Sequence, residues 1–375
     1  MRINFLPTFI LLGLFINSCQ NKDDSNGERI EIDLLSNKAN VYNLEVTSFV
    51  SLETIDSSLI GEIRKIEIFS DFIYIFDKNN SKALFVFDKN GKFIRRTIRG
   101  KAPGECLDPW DFIVDKENNK ILLWDQGTFN MLEYDLKLNY LKSYHYQGLV
   151  LRNFKKLSDN NYLAFIQFPI LKDSTDRLTF YNYVIYNNDF SKCLKKMLPT
   201  SKTLAGLTLN SPISPKDRAL FVAPFDADIY GLEDNNLNVI YKVDFGKYSI
   251  TPADVNKGIS NLFSLARKGE RAGSIDNIFE SENYLSFAFF YKEGPVFCIY
   301  EKKKKAYYFS SDLINDKNLP DCLLVGILEN DIFISAVEAP DFVRYSNQKG
   351  ITNKVVASDN PVIMFFKIKN ILPKI

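Results

Sequence analysis

Histidine is almost missing from this chain: 375 residues contain one. That excludes a metal centre built on several imidazoles and leaves acid–base chemistry to carboxylates, tyrosines and lysines. Cysteine is scarce too. The five are Cys19, Cys106, Cys193, Cys298 and Cys322, and no two form a C-x-x-C pair, which argues against a zinc ribbon or a dithiol redox site. Neither charge sign dominates. Forty-seven Lys and Arg face 46 Asp and Glu, a formal +1, so long-range steering towards nucleic acid is not expected and no nucleic-acid partner is inferred. Recognised nucleophile, phosphate-loop and zinc-protease motifs are absent.

What the chain does have is aromatic residues and turns. Phe and Tyr number 31 and 19, and 46% of residues are hydrophobic, which suits half-buried strands around a sizeable core. Between Ile63 and Tyr144 one pattern occurs twice. IRKIEIF, FIYIFDKNN, ALFVFDKNG and KFIRRTI are followed by PWDFIVD, KILLWDQGT, MLEYDLK and YLKSYHY. Asp77 and Asp125 are 48 residues apart, and Asp88 and Asp135 are 47 apart. Four strands in a period of about 40–50 residues predict β-propeller blades.

Continuing the register gives six blades. Their third strands end at Asp88, Asp135, Asn187, Glu233, Glu301 and Lys367, at spacings of 47, 52, 46, 68 and 66. The 68-residue interval contains TPADVNKGISNLFSLARKG, read as one amphipathic helix near 252–268 with Thr251 as N-cap, Asp254 as its capping-box partner and Gly269 as its end. The last interval contains Asp341 to Asn360, read as a polar loop without periodicity. Blade six lacks a fourth strand, and the alternating segment Val46–Leu52 can supply it. The expected architecture is all-β: a six-bladed propeller of four strands per blade, its ring closed by an N-terminal strand, with one short inserted helix. Closure removes the free edges of an open array.

Upstream of the propeller, MRINFLPTFILLGLFINSC resembles a bacterial lipoprotein signal, with INSC in the place of the lipobox and Asn17 a mild departure. The resemblance implies cleavage before Cys19 and lipidation of Cys19. The alternative, an uncleaved anchor helix, has a short apolar run for a span. QNKDDSNGE then reads as a flexible tether, and its K-D-D resembles the acidic tag that takes Bacteroidota lipoproteins to the outer face of the outer membrane. The domains are therefore 1–18 signal peptide, 19–28 tether and 29–375 propeller, attached to the membrane through Cys19 and more often displayed at the surface than in the periplasm.

The segment RGKAPGECLDPWDFIVD, with VDFGKYSITP and SDNPVIMFFKIK, resembles the six-bladed NHL-like β-propeller lipoproteins of Bacteroidota over about residues 30 to 370. Lys101-Ala102 departs from that family's Gly-Arg-Gly spacing, and Cys106 stands where an aromatic is common. The resemblance implies a fold more than a function.

Propeller topology selects the candidate site. The loops joining blades and the loops after each second strand share one face, around the mouth of the central tunnel. On it the sequence places Asp77, Arg99, Lys101, Glu105, Asp125, Arg152 and Asp226 as ligand-binding candidates, with Lys78, Gln167, Tyr291, Lys292, Glu293, Glu338, His145 and Lys202 nearby. Such a ring suits a glycan-derived ligand, another polar small molecule or a partner protein, and Asp77, Asp125 and Asp226 together could hold Ca²⁺. Each has a plainer role to set beside this: Asp77 and Asp125 as turn caps, Glu105 as a bond to backbone amides, His145 as a surface residue, Trp110 and Trp124 as core. Cys106 reads as exposed. Cys193, Cys298 and Cys322 read as buried small hydrophobes, with a Cys298–Cys322 disulfide between neighbouring blades left open. Three functions remain: a ligand-binding propeller, a carboxylate-based hydrolase or lyase of the lactonase or glycosidase type, and a docking platform. No catalytic residue is named.

Overall fold

Period-two alternation, broken every few residues by Asp, Asn, Gly and Lys turns, gives six antiparallel sheets arranged in a ring. The computed structural model describes residues 27–35, 41–166, 171–172, 178–200, 203–204, 207, 209–210, 212–214, 218–233, 235–292, 294–311, 320 and 323–372. Blade one is Lys65–Phe69, Phe72–Asp77, Ala83–Asp88 and Phe93–Arg96. Blade two is Pro109–Asp115, Lys120–Asp125, Asn130–Asp135 and Tyr140–His145. Blades three and five have four main strands at the expected places. In blade four the described residues of the inner strand make one bridge, Ile213 to Phe221.

The N-terminal part of the chain reaches across three blades. Strand β1 (Glu28–Glu31) adds a parallel fourth strand to the outer edge of blade four, in register with Tyr241–Asp244. Beyond it, two contacts cross to blade five: the Tyr300 hydroxyl donates to Glu28 at 2.7 Å, and the Asp33 amide donates to the Tyr307 hydroxyl at 2.9 Å. Strand β2 (Val41–Ser51) then pairs antiparallel with Val362–Leu372 and completes blade six. The ring closes as the sequence implies, with the closing strand starting five residues earlier than Val46. Asn360 locks the join. Its side chain accepts from the Ile60 amide at 2.9 Å and donates to the Glu53 and Ser58 carbonyls at 3.0 and 2.9 Å.

Two insertions differ from expectation. The segment after blade four forms two helices, α1 (Pro252–Asn256) and α2 (Ile259–Arg267). The Thr251–Asp254 capping box is present, but Gly258 has φ +87° and breaks the axis. The segment read as a polar loop contains helix α3 (Ala339–Lys349), opened by Pro340 and ended by Gly350 in the left-handed region. Its Phe342 and Tyr345 pack on Phe49 of β2, with ring centroids 4.9 and 5.9 Å apart. Both insertions lie on the face where second strands end.

The cysteine assignments change in part. Cys106 is fully buried, not exposed, and burial pushes its thiol up to about 12. Cys298 is a buried free thiol, so the Cys298–Cys322 disulfide is not formed; Cys322 lies outside the described residues, and Cys193 is half-buried. None of the described helices is long and apolar enough to cross a membrane.

Candidate functional site: the mouth of the central tunnel

The inner strands of the blades surround a cavity of about 300 Å³. Its wall is charged, and its carboxylates pair with two of its lysines. Lys65 bridges Asp111 and Glu67 at 3.0 and 3.2 Å. At the far end Lys156 bridges Asp115 and Glu117 at 3.0 and 2.7 Å. Lys155 donates to the Ser214 carbonyl at 3.1 Å. Pairing of this kind is what allows lysines to line a narrow polar channel.

The mouth differs from the wall. Arg64, just before the inner strand of blade one, donates to the side-chain oxygen of Asn210 and to the Asn210 and Leu209 carbonyls at 2.7 and 3.2 Å. Lys78, in the turn after blade one's second strand, holds its ammonium 4.1 Å from the centroid of Trp110. Arg152, leading into blade three, stacks its guanidinium on the same indole. Trp110 is half-buried, not core, and its Nε1 donates to Asp108 at 2.7 Å. Burial and the nearby Arg64 and Arg152 charges lower the Lys78 ammonium to about 8. Burial lowers Arg152 to about 10.

The sequence candidates fall into two groups. Asp77 and Asp125 are fully buried and act as matched staples. Asp77 accepts from the Gly61 and Glu62 amides at 2.9 and 3.3 Å and from Asn80 and Ser81 of its own turn. Asp125 accepts from the Leu107 and Asp108 amides at 3.0 and 2.7 Å, from the Gly127 amide and from the Thr128 hydroxyl. Each ties the turn after a second strand to the segment entering its blade. Their oxygens are taken up there, so neither presents a carboxylate to a ligand, and the turn role weighed in the sequence is the one observed. Glu105 likewise accepts from the Ala102 amide at 2.9 Å. Asp226 accepts from the Tyr230 hydroxyl at 2.6 Å; burial and this carboxylate hold that hydroxyl well above its usual range. Arg99 and Lys101 are exposed and form no ion pair with any described residue. Arg152 is the candidate that the structure brings to the mouth.

Asp77, Asp125 and Asp226 stay in their own turns. Among the described residues, no three His, Cys, Asp or Glu side chains gather in a way that could hold a metal ion, so the Ca²⁺ set drawn from these three is not assembled. The joining loop Arg99–Pro109 is built for shape. Ile98–Arg99 pair with Glu105–Cys106, Tyr134 donates to the Gly104 carbonyl at 3.0 Å, and a side chain at Gly104 (φ +83°) would collide with Tyr140. His145 is exposed and contacts Asn130, a surface role. Lys202, Gln167 and Glu293 lie outside the described residues.

Two site residues escape sequence reasoning. Arg64 precedes an inner strand and belongs to neither sampled loop set. Trp110 sits in an apolar strand pattern, and only its neighbours, Asp108 and the pre-strand Arg152, hint at a polar setting.

The ring of six four-stranded sheets, closed by strands from both ends and enclosing a polar tunnel, defines a six-bladed β-propeller. The chain belongs to the family described as a domain of unknown function, DUF4934, whose sequence model matches residues 36–367. No curated protein matches it. Among solved structures it is similar to a Bacteroides fragilis protein inferred to be exported, at 19% identity and a TM-score of 0.72, covering 91% of this chain and 100% of that one. It is also similar to a DUF4221-family member from Bacteroides vulgatus, at 11% identity and a TM-score of 0.54, covering 89% and 100%.

Proposed function

We propose that the protein is a lipid-anchored, extracytoplasmic propeller of the NHL-like kind that binds a polar small ligand, glycan-derived in the first instance, at the tunnel mouth. One observation carries the ligand reading: Lys78 and Arg152 converge on Trp110, with the Arg64 charge acting on Lys78, beside a cavity whose Lys65 and Lys156 are already paired with carboxylates. A small number of placed polar groups over a concave cavity is the usual form of a small-molecule site. The lipoprotein-like signal, with Cys19 at its end and K-D-D behind it, supports an outer-membrane, surface-facing address. The exported character inferred for the Bacteroides fragilis relative is consistent with that address.

Two experiments test the reading. Cys19→Ala should move the protein from the membrane fraction to the soluble fraction and abolish incorporation of labelled palmitate; unchanged partitioning counts against the anchor. A thermal-shift screen of mono- and oligosaccharides, run with and without EDTA, should find a stabilising ligand whose shift disappears in Trp110→Leu. A response that Trp110→Leu leaves intact would put the ligand elsewhere on the propeller.

A further inference from the structure

The geometry points to a receptor for an anionic group: Lys78 and Arg152, both held against Trp110, take a carboxylate, sulfate or phosphate carried by the ligand that enters the mouth, with Arg64 adding its charge from beside them. The inference rests on the mouth being the ligand site and adds the chemistry that selects the ligand.

Cations in a folded protein ordinarily come with their own counter-ions, and the wall of this tunnel shows the rule. At the mouth the nearby carboxylates are already engaged. Asp108 accepts from the Lys82 ammonium and the Trp110 indole, each at 2.7 Å. Asp111 accepts from Lys65 and from the Phe154 amide, each at 3.0 Å. Glu62 accepts from Asn79 at 2.6 Å, and Asp276 accepts from the Asn210 amide at 2.6 Å. Arg64 spends its donors on neutral oxygens. Lys78 has no carboxylate partner among the described residues, only the face of Trp110. Arg152 shares that indole, and its Nε is buried with no acceptor.

An orphaned guanidinium donor beside an unpaired ammonium is an unfavourable arrangement for the empty protein. It becomes favourable when an anion supplies two or three oxygens. A planar carboxylate or a tetrahedral oxyanion matches the fork of an arginine, and the lysine adds a point charge. Drawing Arg152 outward towards such a group would also give its Nε an acceptor. The groups that face Lys78 are Arg64, Arg152, Asp108 and Asp111; burial and the two arginines outweigh the two carboxylates and lower its ammonium to about 8. Anion binding should therefore take up protons near pH 8 and weaken as pH rises through it.

The test is calorimetric titration of the full-length protein in detergent at low ionic strength with sodium sulfate, sodium phosphate, glucuronate and glucose. Trp110 fluorescence, assigned by Trp110→Phe, is followed in parallel. Glucuronate should bind at least tenfold more tightly than glucose. Arg152→Gln and Lys78→Gln should each lose tenfold or more of the anion affinity while melting at or above the wild-type temperature, because each removes an unpaired charge. Lys78→Arg should bind and lose the weakening between pH 7 and 9. Equal binding of glucose and glucuronate, unaffected by the two Gln variants, overturns the anion receptor and leaves the mouth as a neutral-ligand site. Anion binding that persists in both Gln variants also overturns it, since the anion then sits elsewhere. No binding of any probe, with both Gln variants melting below wild type, shows the cations to be structural and removes the mouth reading as well.

Discussion

At the scale of single residues, one repeated aspartate explains much of the internal repeat. Asp77 and Asp125 do the same work 48 residues apart: in blades one and two each pins the turn after the second strand to the incoming chain. The pair was readable as an equivalence, and the turn role follows from Asp's habit of accepting from backbone amides. Asp125→Ala leaves two incoming amides, Leu107 and Asp108, without acceptors in a buried setting, and should cost about 3 kcal/mol in urea unfolding. Lys78 has the opposite character. Its ammonium is lowered in the fold, so below about pH 8 the charge is a burden that the unfolded chain does not carry. That burden is relieved as pH rises, since the unfolded lysine keeps its proton to higher pH than the folded one. Lys78→Gln should therefore stabilise the free protein at pH 7, and its advantage over wild type should shrink above pH 8 in paired melting curves. The site itself was less legible than the fold. Rules of topology rank loops, whereas the mouth was assembled by which charges lacked partners, and partners are a property of three dimensions. Arg64 and Trp110 show this: nothing in IRKIEIF or PWDFIVD says that Trp110 will meet Lys78 and Arg152, or that the Arg64 charge will act on Lys78.

At the scale of elements, strands were easier to read than helices. Strand alternation and turn residues act locally, so six blades appear in the sequence at nearly their final boundaries. The helical insertions depend on neighbours. Thr251, Pro252 and Asp254 mark the start of α1 correctly, but a continuous apolar face from Val255 to Ala266 hides the break that Gly258 makes. In α3 the start and stop signals, Pro340 and Gly350, are present, and polar residues between them obscure the buried rings of Phe342 and Tyr345. Phe342→Ala should lose about 3–5 kcal/mol, because it removes a ring that covers the closing strand. Asp254 offers a pH test. Hydrogen bonds from Arg271 and Thr251 lower its carboxyl to about 2, so its contribution is present above its unfolded value near 4. That contribution is lost as pH falls towards 2. Melting temperature should drop over that window, and Arg271→Leu should flatten the drop.

At the scale of the molecule, the ring depends on its two ends. A chain beginning at Gly61 lacks β2 and leaves Val362–Leu372 with a free edge, so it should fail to show the cooperative melt of the full domain by calorimetry. An unchanged melting temperature would overturn the closure. Asn360→Ala, which removes three hydrogen bonds across the join, should weaken the same transition by about 2–4 kcal/mol without altering the isolated blades.

That closure also sets an order of events. Thr47 donates to the Phe365 carbonyl from 318 residues away, so bringing the two strands together costs about 5 kcal/mol of chain entropy unless the intervening blades have already formed. Blades one to three can pair from neighbouring segments as soon as they emerge, and blade five likewise. β2 is among the first strands to be synthesised and the last to find its partner. Until Val362–Leu372 is complete, β2 is an unpaired strand at the front of a growing polypeptide, and the native ring is a post-synthetic state. Stopped-flow refolding should then show the meeting of the two ends as the slow step, with a rate that follows the integrity of the blades between them.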